Sequence, residues 1–182
     1  LNLRDMPKLF AGKSCFFTGV TGMLGKVLLE KMVRSTPDIR VVYCLIRARQ
    51  GTGAQARLEE ELFGSRIWDR LLQTPLAQGG FSGDRAALRA HLRRKIVAVE
   101  GDLLSGMDAF TDSILEGVHA SCTRGAPPAG ILGISPAWRE RLKREGVDIV
   151  CHNAATVNFD EPIDLAVRMN TLAPLAMMHL SR

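Results

Sequence analysis

Aromatic residues make up only 5% of this 182-residue chain, Tyr43 is the single tyrosine, and no aromatics are interleaved with the two basic runs at 89–95 and 139–144. The net charge of +5 therefore lacks the stacking platforms that hold single-stranded nucleic acid. Both runs read as solvated helix faces, and no nucleic-acid partner is expected. Also missing is any apolar stretch near the roughly 18 residues that a membrane span requires, because Asp, Arg, Lys or Gly breaks every candidate. No signal-type apolar block opens the chain. Cysteine is sparse: Cys15, Cys44, Cys122 and Cys151 form no Cys-x-x-Cys pair, and no His-Glu-x-x-His motif occurs. Three of these thiols lie in apolar runs, where free cysteines behave as small hydrophobes, which fits a reducing, intracellular compartment. Cys151 and His152, as neighbours on a strand, point to opposite faces, so no metal is expected.

What is present is 46% apolar residues against 24% charged, a balance that suits one soluble globular domain over 1–182. At this length folding buries roughly 70% of the unfolded chain's surface, so the core needs neither disulfide nor metal. The chain opens at Leu1 and closes at Arg182 inside a helical pattern, and we expect a piece of a longer protein.

Strand-length apolar runs alternate with helical spacing. Residues 13–18 read as a strand ending in glycines, and Leu24, Val27, Leu28, Lys31 and Met32 recur as on a helix over 23–35. The near-continuous run VVYCLI at 41–46 fits a strand covered on both faces. Further helices are predicted over 54–73, broken at Gly64, over 85–94 and over 138–144, with strands at 96–99 and 147–152. This alternation predicts an α/β fold, a doubly wound parallel sheet of Rossmann type, incomplete at its C-terminal end. The glycines and prolines of 117–133 read as an exposed loop, with a substrate lid as the alternative.

The strongest motif is Thr18-Gly19-Val20-Thr21-Gly22-Met23-Leu24-Gly25, between the first strand and the first long helix. There a dinucleotide pyrophosphate can sit on unpaired N–H groups and the positive end of the helix dipole. Gly19 permits the tight bend, Gly22 lets the backbone approach the phosphates, and Gly25 lets helix and strand pack closely. The plain alternative is a strand–helix turn whose glycines serve only the backbone. A Walker A loop is disfavoured, because Val20 and Val27 stand where it needs Gly and Ser/Thr. Sites for NAD place an acid after the second strand, whereas this chain has Arg47 and Arg49. A guanidinium suits a 2′-phosphate, so NADPH is the expected cofactor, the alternative being two surface arginines. Asp102, after the third strand, is placed to accept from an adenine amino group.

The segment 18–25 resembles the cofactor turn of extended short-chain dehydrogenase/reductases. LLEKMVRSTPDIRVVYCLIRARQG at 28–51, and HNAATVNFDEP at 152–162, are similar to alcohol-forming fatty acyl-CoA reductases. The resemblance covers about 10–106 and 134–182, and it implies reduction of a fatty acyl-CoA through an aldehyde to a fatty alcohol. It implies Thr18, Gly19, Thr21, Gly22, Met23, Leu24 and Gly25 at the pyrophosphate, and Arg47 and Arg49 near the 2′-phosphate. Asp102 and Leu103 would lie at the adenine, Asn153, Ala154 and Ala155 beside the nicotinamide-side ribose, and Asn170 would support a proton relay. Members of the family often associate with peroxisomal or endoplasmic-reticulum membranes, through residues outside this chain.

Three features depart from the family pattern. Residues 113–133 match nothing comfortably and read as a divergent insertion or a mis-spliced segment. Pro174 follows Asn170 inside the expected helix, at a cost of about 3 kcal/mol unless a kink accommodates it. The Tyr-x-x-x-Lys pair that protonates the alkoxide is absent, since Arg47 stands four residues after Tyr43. A non-enzymatic NADP(H)-binding module and a carrier-bound thioester reductase domain are the competing readings. General acid help is worth about 10²–10⁴-fold, so this chain alone is expected not to turn over acyl-CoA. Steady NADPH oxidation by residues 1–182 with a long-chain acyl-CoA would contradict that expectation.

Overall fold

The computed structural model describes residues 6–112 and 130–180. Four strands, β1 (Ser14–Thr18), β2 (Val41–Ile46), β3 (Ile96–Glu100) and β4 (Ile149–His152), form one sheet in the order β3-β2-β1-β4. All three pairings are parallel, with Phe16 opposite Tyr43 and Val150, and Tyr43 opposite Val97. Every residue of β1 and β2 is buried, the signature of central parallel strands with both faces covered.

Side-chain alternation divides the interior into two cores. Cys15, Phe17, Val42, Cys44 and Ile46 face Leu29, Val33, Leu58, Leu62 and Trp68. Phe16, Tyr43 and Leu45 face Leu103, Met107, Ile131, Leu132 and Ala173. Cys15, Cys44 and Cys151 all join the first core. Burial pushes the Cys15 thiol up to about 12, so it packs as a small hydrophobe in its neutral form.

Helix α1 (Met6–Phe10) precedes β1, and α2 (Met23–Ser35) links β1 to β2 with the bounds its apolar spacing predicts. The helical stretch predicted over 54–73 is broken at Gly64 as expected, and it is segmented further. α3 (Ala54–Arg57) widens into a π turn over Leu58–Phe63, which stops at Gly64, and a 3₁₀ turn and α4 (Asp69–Gln73) follow. The break has a packing cause: Trp68 turns inward and donates from Nε1 to the Leu62 carbonyl at 2.8 Å. α5 (Arg85–Lys95) is capped by Asp84, whose carboxylate accepts from the Ala87 N–H at 2.9 Å.

The exposed-loop reading of 117–133 needs correction at its described end. Ile131 and Leu132 are fully buried, and the Leu132 carbonyl accepts from the Asp102 N–H at 2.8 Å. The glycines and prolines around them masked two core residues. Residues 113–129 of that loop and of the expected insertion, with Cys122, lie outside the described residues. α6 (Pro136–Glu145) then leads to β4, capped by Ser135 with proline in its first turn. One edge of β4 pairs with β1, and the other has no strand partner among the described residues.

At the start of the sheet, β1 and β4 are tied by Asp148. Its carboxylate accepts from the Ser14 N–H at 2.8 Å and from Lys13 Nζ at 3.2 Å. The Ser14 N–H bond, then Lys13, hold this acid down at about 2, below its ordinary 3.8. A carboxylate depressed in the folded state stabilises above its unfolded value, and that contribution is lost as pH falls through the folded value. The urea midpoint should therefore drop as pH falls from about 4 to about 2, and Asp148→Asn should show a shallower acid limb. Identical pH profiles for the two proteins would remove Asp148 from this role.

Candidate cofactor site

The chain leaves β1 toward β2 on one side, while β4 lies on the other. The C-terminal ends of β1 and β4 therefore border a topological switch point, where open α/β sheets bind ligands. The Gly19–Gly25 turn lies at this point. Gly19 has φ +73, and a Cβ there would stand 2.7 Å from the Ala154 nitrogen. A Cβ on Gly25 would stand 2.0 Å from the Gly19 carbonyl oxygen. Both glycines are thus required by close backbone approach, and Val20 between them is fully buried and anchors the turn in the core.

Gly22 is different. It is the N-cap of α2 with φ −74, and a Cβ there would meet only the Gly19 oxygen, at 3.4 Å. No side chain caps α2, and its start is bordered by the half-buried Thr21 and the exposed Met23 and Leu24. An uncapped helix N-terminus behind a glycine that leaves room is the cradle a pyrophosphate requires, and the residues fit a dinucleotide.

Thr18 plays a part that the glycine pattern does not disclose. Its side chain is fully buried, and Oγ1 lies 3.0 Å from His152 Nδ1 while accepting from the N–H groups of Asn153 at 3.2 Å and Ala154 at 3.3 Å. It braces β1 against the turn after β4. Asn153 donates from Nδ2 to the Gly19 carbonyl at 3.5 Å, so 153–154 and the glycine turn form one contact, with Ala155 exposed beyond.

Asn170 is exposed, on a π turn (Arg168–Leu172) between α7 (Ile163–Val167) and α8 (Ala173–Leu180). Its side chain closes a pair of bonds to Thr156, accepting from the N–H at 2.9 Å and donating to the carbonyl at 3.0 Å. Thr156 also donates its hydroxyl to Glu161. The widened turn lies just before Pro174, the second residue of α8, which is how the helix accommodates a residue without an N–H donor.

At the end of β2, Arg47 and Arg49 are both exposed. Arg47 lies 3.7 Å from Asp102, and Arg49 3.3 Å from Glu61. Behind them is a residue the sequence reading missed. Arg57, 4% exposed, donates to the Arg47 carbonyl and, at 2.7 and 3.0 Å, to both oxygens of Glu61. Those bonds are the main cause that lowers the Glu61 carboxyl. The i,i+4 spacing of Arg57 and Glu61 was the signal available. Asp102 Oδ1 accepts from the Leu104 N–H at 3.1 Å, while Leu103 is buried in the second core.

Tyr43 lies in mid-strand, fully buried and bonded to Glu145. Burial, then that bond, pushes its phenol up to about 12. Among the described residues the site thus offers anion-binding groups and no tyrosine acid, and no cluster of metal-ligating side chains is present.

Comparison with known proteins agrees with this geometry. A NAD-binding family model described as "Male sterility protein" matches residues 17–110 and 128–182. A probable fatty acyl-CoA reductase 5 of Arabidopsis thaliana is 31% identical over 93% of this chain and 28% of its own length. Fatty acyl-CoA reductase 1 of Pongo abelii is 30% identical over 98% of this chain and 27% of its own. The chain thus spans little more than a quarter of these relatives. Among solved structures, the terminal R domain of the myxalamid PKS-NRPS biosynthetic pathway aligns with a TM-score of 0.57 at 26% identity, over 94% of this chain and 32% of that one. The chain belongs to the male sterility protein family and carries its nicotinamide-cofactor-binding fold.

Proposed function

We propose that this chain is the cofactor-binding part of an NADPH-dependent fatty acyl-CoA reductase, which converts a fatty acyl-CoA through an aldehyde to a fatty alcohol. The observation that carries this reading is the uncapped N-terminus of α2 behind Gly22, with two exposed arginines at the end of β2. The similarity to named fatty acyl-CoA reductases supports the substrate class. When bound, NADPH supplies the hydride. The residues of this chain hold and orient it: the α2 N–H groups and Gly22 receive the pyrophosphate, Arg47 and Arg49 the 2′-phosphate, and Asp102 the adenine edge. The Arg47–Asp102 contact, long and exposed, is worth at most about 1 kcal/mol, so a phosphate readily displaces it. Asn153, Ala154 and Ala155 face the nicotinamide-side ribose, and Asn170 holds their loop through Thr156. The alkoxide's proton donor is assigned to the part of the relatives' length that this chain does not span, because Tyr43 is committed to Glu145.

A carrier-bound thioester reductase is the second reading, favoured by the likeness to the myxalamid R domain; both substrates present the same thioester carbonyl. Association with peroxisomal or endoplasmic-reticulum membranes belongs to the proposal through the family resemblance. No helix among the described residues is long and apolar enough to cross a membrane. NADPH oxidation by the full-length protein separates the readings. Turnover with long-chain acyl-CoA supports the first, turnover only with a carrier-bound thioester the second, and none with either a non-enzymatic binding module.

Two substitutions test the cofactor assignment. A charge-assisted hydrogen bond contributes about 1.5–3 kcal/mol, so Arg47→Ala should weaken NADPH roughly 10- to 150-fold and leave NADH nearly unchanged. Equal losses for both cofactors would remove Arg47 from the 2′-phosphate. Gly22→Val should fold, because the backbone tolerates it and its Cβ meets one atom at 3.4 Å, yet lose NADPH by filling the phosphate's space. Calorimetry finding wild-type affinity in Gly22→Val would refute the pyrophosphate assignment.

A further inference from the structure

His152 ends β4 at the switch point, and nothing in the cofactor reading uses it. Its environment constrains its protonation. A threonine hydroxyl has one hydrogen and two lone pairs. Thr18 Oγ1 accepts from the Asn153 and Ala154 N–H groups at 3.2 and 3.3 Å, which fills both lone pairs. Thr18 is fully buried, so bulk water offers no other partner. The hydroxyl hydrogen therefore goes to His152 Nδ1, 3.0 Å away, and Nδ1 must carry a bare lone pair.

We propose that His152 is a positioning residue: as the neutral tautomer with its proton on Nε2, it accepts the Thr18 hydroxyl hydrogen and so keeps that oxygen free to hold the 153–154 turn. This rests on the reading of that turn as facing the cofactor. An imidazolium would aim an N–H at a hydroxyl with no free lone pair and displace one of the two backbone N–H groups. The disturbance reaches the phosphate side directly, because the Ala154 nitrogen lies 2.7 Å from where a Gly19 Cβ would stand. The cost of the tautomer is visible as well. Nε2 is buried and has no hydrogen-bond partner among the described residues, a penalty of the kind that persists where position matters.

Burial is what lowers the imidazole below its ordinary 6.5. The titratable groups on the surrounding elements are committed elsewhere. Cys15 on β1 and Cys151 on β4 are thiols that burial pushes up. Arg168 pairs with Asp108 at 2.6 Å, Glu161 accepts from Thr156, and Asp160 and Asp164 are exposed.

The test uses the full-length protein with ¹⁵N-labelled histidine, alongside NADPH affinity followed by nicotinamide fluorescence across pH. His152 should show a bare Nδ1 and a protonated Nε2 at neutral pH, and NADPH affinity should fall on the acid side of the ordinary imidazole value of 6.5. His152→Asn places an amide oxygen where Nδ1 stood, so it should bind nearly as wild type and lose the acid-side fall. His152→Leu removes the acceptor and should weaken NADPH roughly tenfold at neutral pH. Adding Thr18→Val to it should cost little more, since the two act as a unit. A proton on Nδ1, wild-type affinity in His152→Leu, or an unchanged acid-side fall in His152→Asn would each overturn the role of His152 alone. If His152→Leu does not fold, the ring nitrogens and the His152→Asn profile still decide. A wild-type protein with the stated tautomer and no NADPH binding would overturn the cofactor reading and the positioning role together.

Discussion

The Gly19 carbonyl oxygen occupies the place where any side chain at residue 25 would have to be, 2.0 Å from that Cβ position. So close an approach of α2 to the end of β1 permits only hydrogen at residue 25, and it fixes where the helix begins. With the helix start fixed, its N-terminus lies at the C-terminal end of β1, and the 153–154 turn packs against Gly19. The cofactor site is thus a consequence of one backbone contact, made where the sheet reverses its order.

A second layer consists of side chains that hold other groups in place. Arg57 and Glu61 support the β2 end behind Arg47 and Arg49. Thr18 supports the 153–154 turn, and Asn170 supports Thr156. Each spends its hydrogen bonds on backbone or on another side chain and so holds a neighbouring group in place. Such support reduces the ordering that a bound ligand must otherwise impose.

The parallel sheet was legible because β2 is a near-continuous apolar run and β1 carries Cys15, Phe16 and Phe17 in succession, and α2 because its apolar residues recur at helical spacing. The glycine turn was legible because Gly19 and Gly25 each have a steric reason that a one-dimensional pattern preserves. The pairing partners were not. Thr18 reads as the first letter of a phosphate motif, yet its hydroxyl is spent on a strand 134 residues away. Leu103 is expected beside Asp102 at the adenine, yet its side chain packs into the second core. The break of 54–73 at Gly64 was legible, whereas the π and 3₁₀ turns beside it, with Trp68 reaching the Leu62 carbonyl, had no local signal. Ile131 and Leu132 were hidden by the turn residues around them.

The burial of Tyr43 has a practical consequence for anyone following this fold in solution. The chain has one phenol, seated in the middle of the sheet, fully buried, with its pKa raised to about 12. Ionisation near 10, where an exposed tyrosine titrates, therefore marks the loss of that burial and of the Glu145 bond. The ultraviolet absorbance of tyrosinate thus reports on the seating of Tyr43 against Glu145, without a label and without interference from a second tyrosine in this chain.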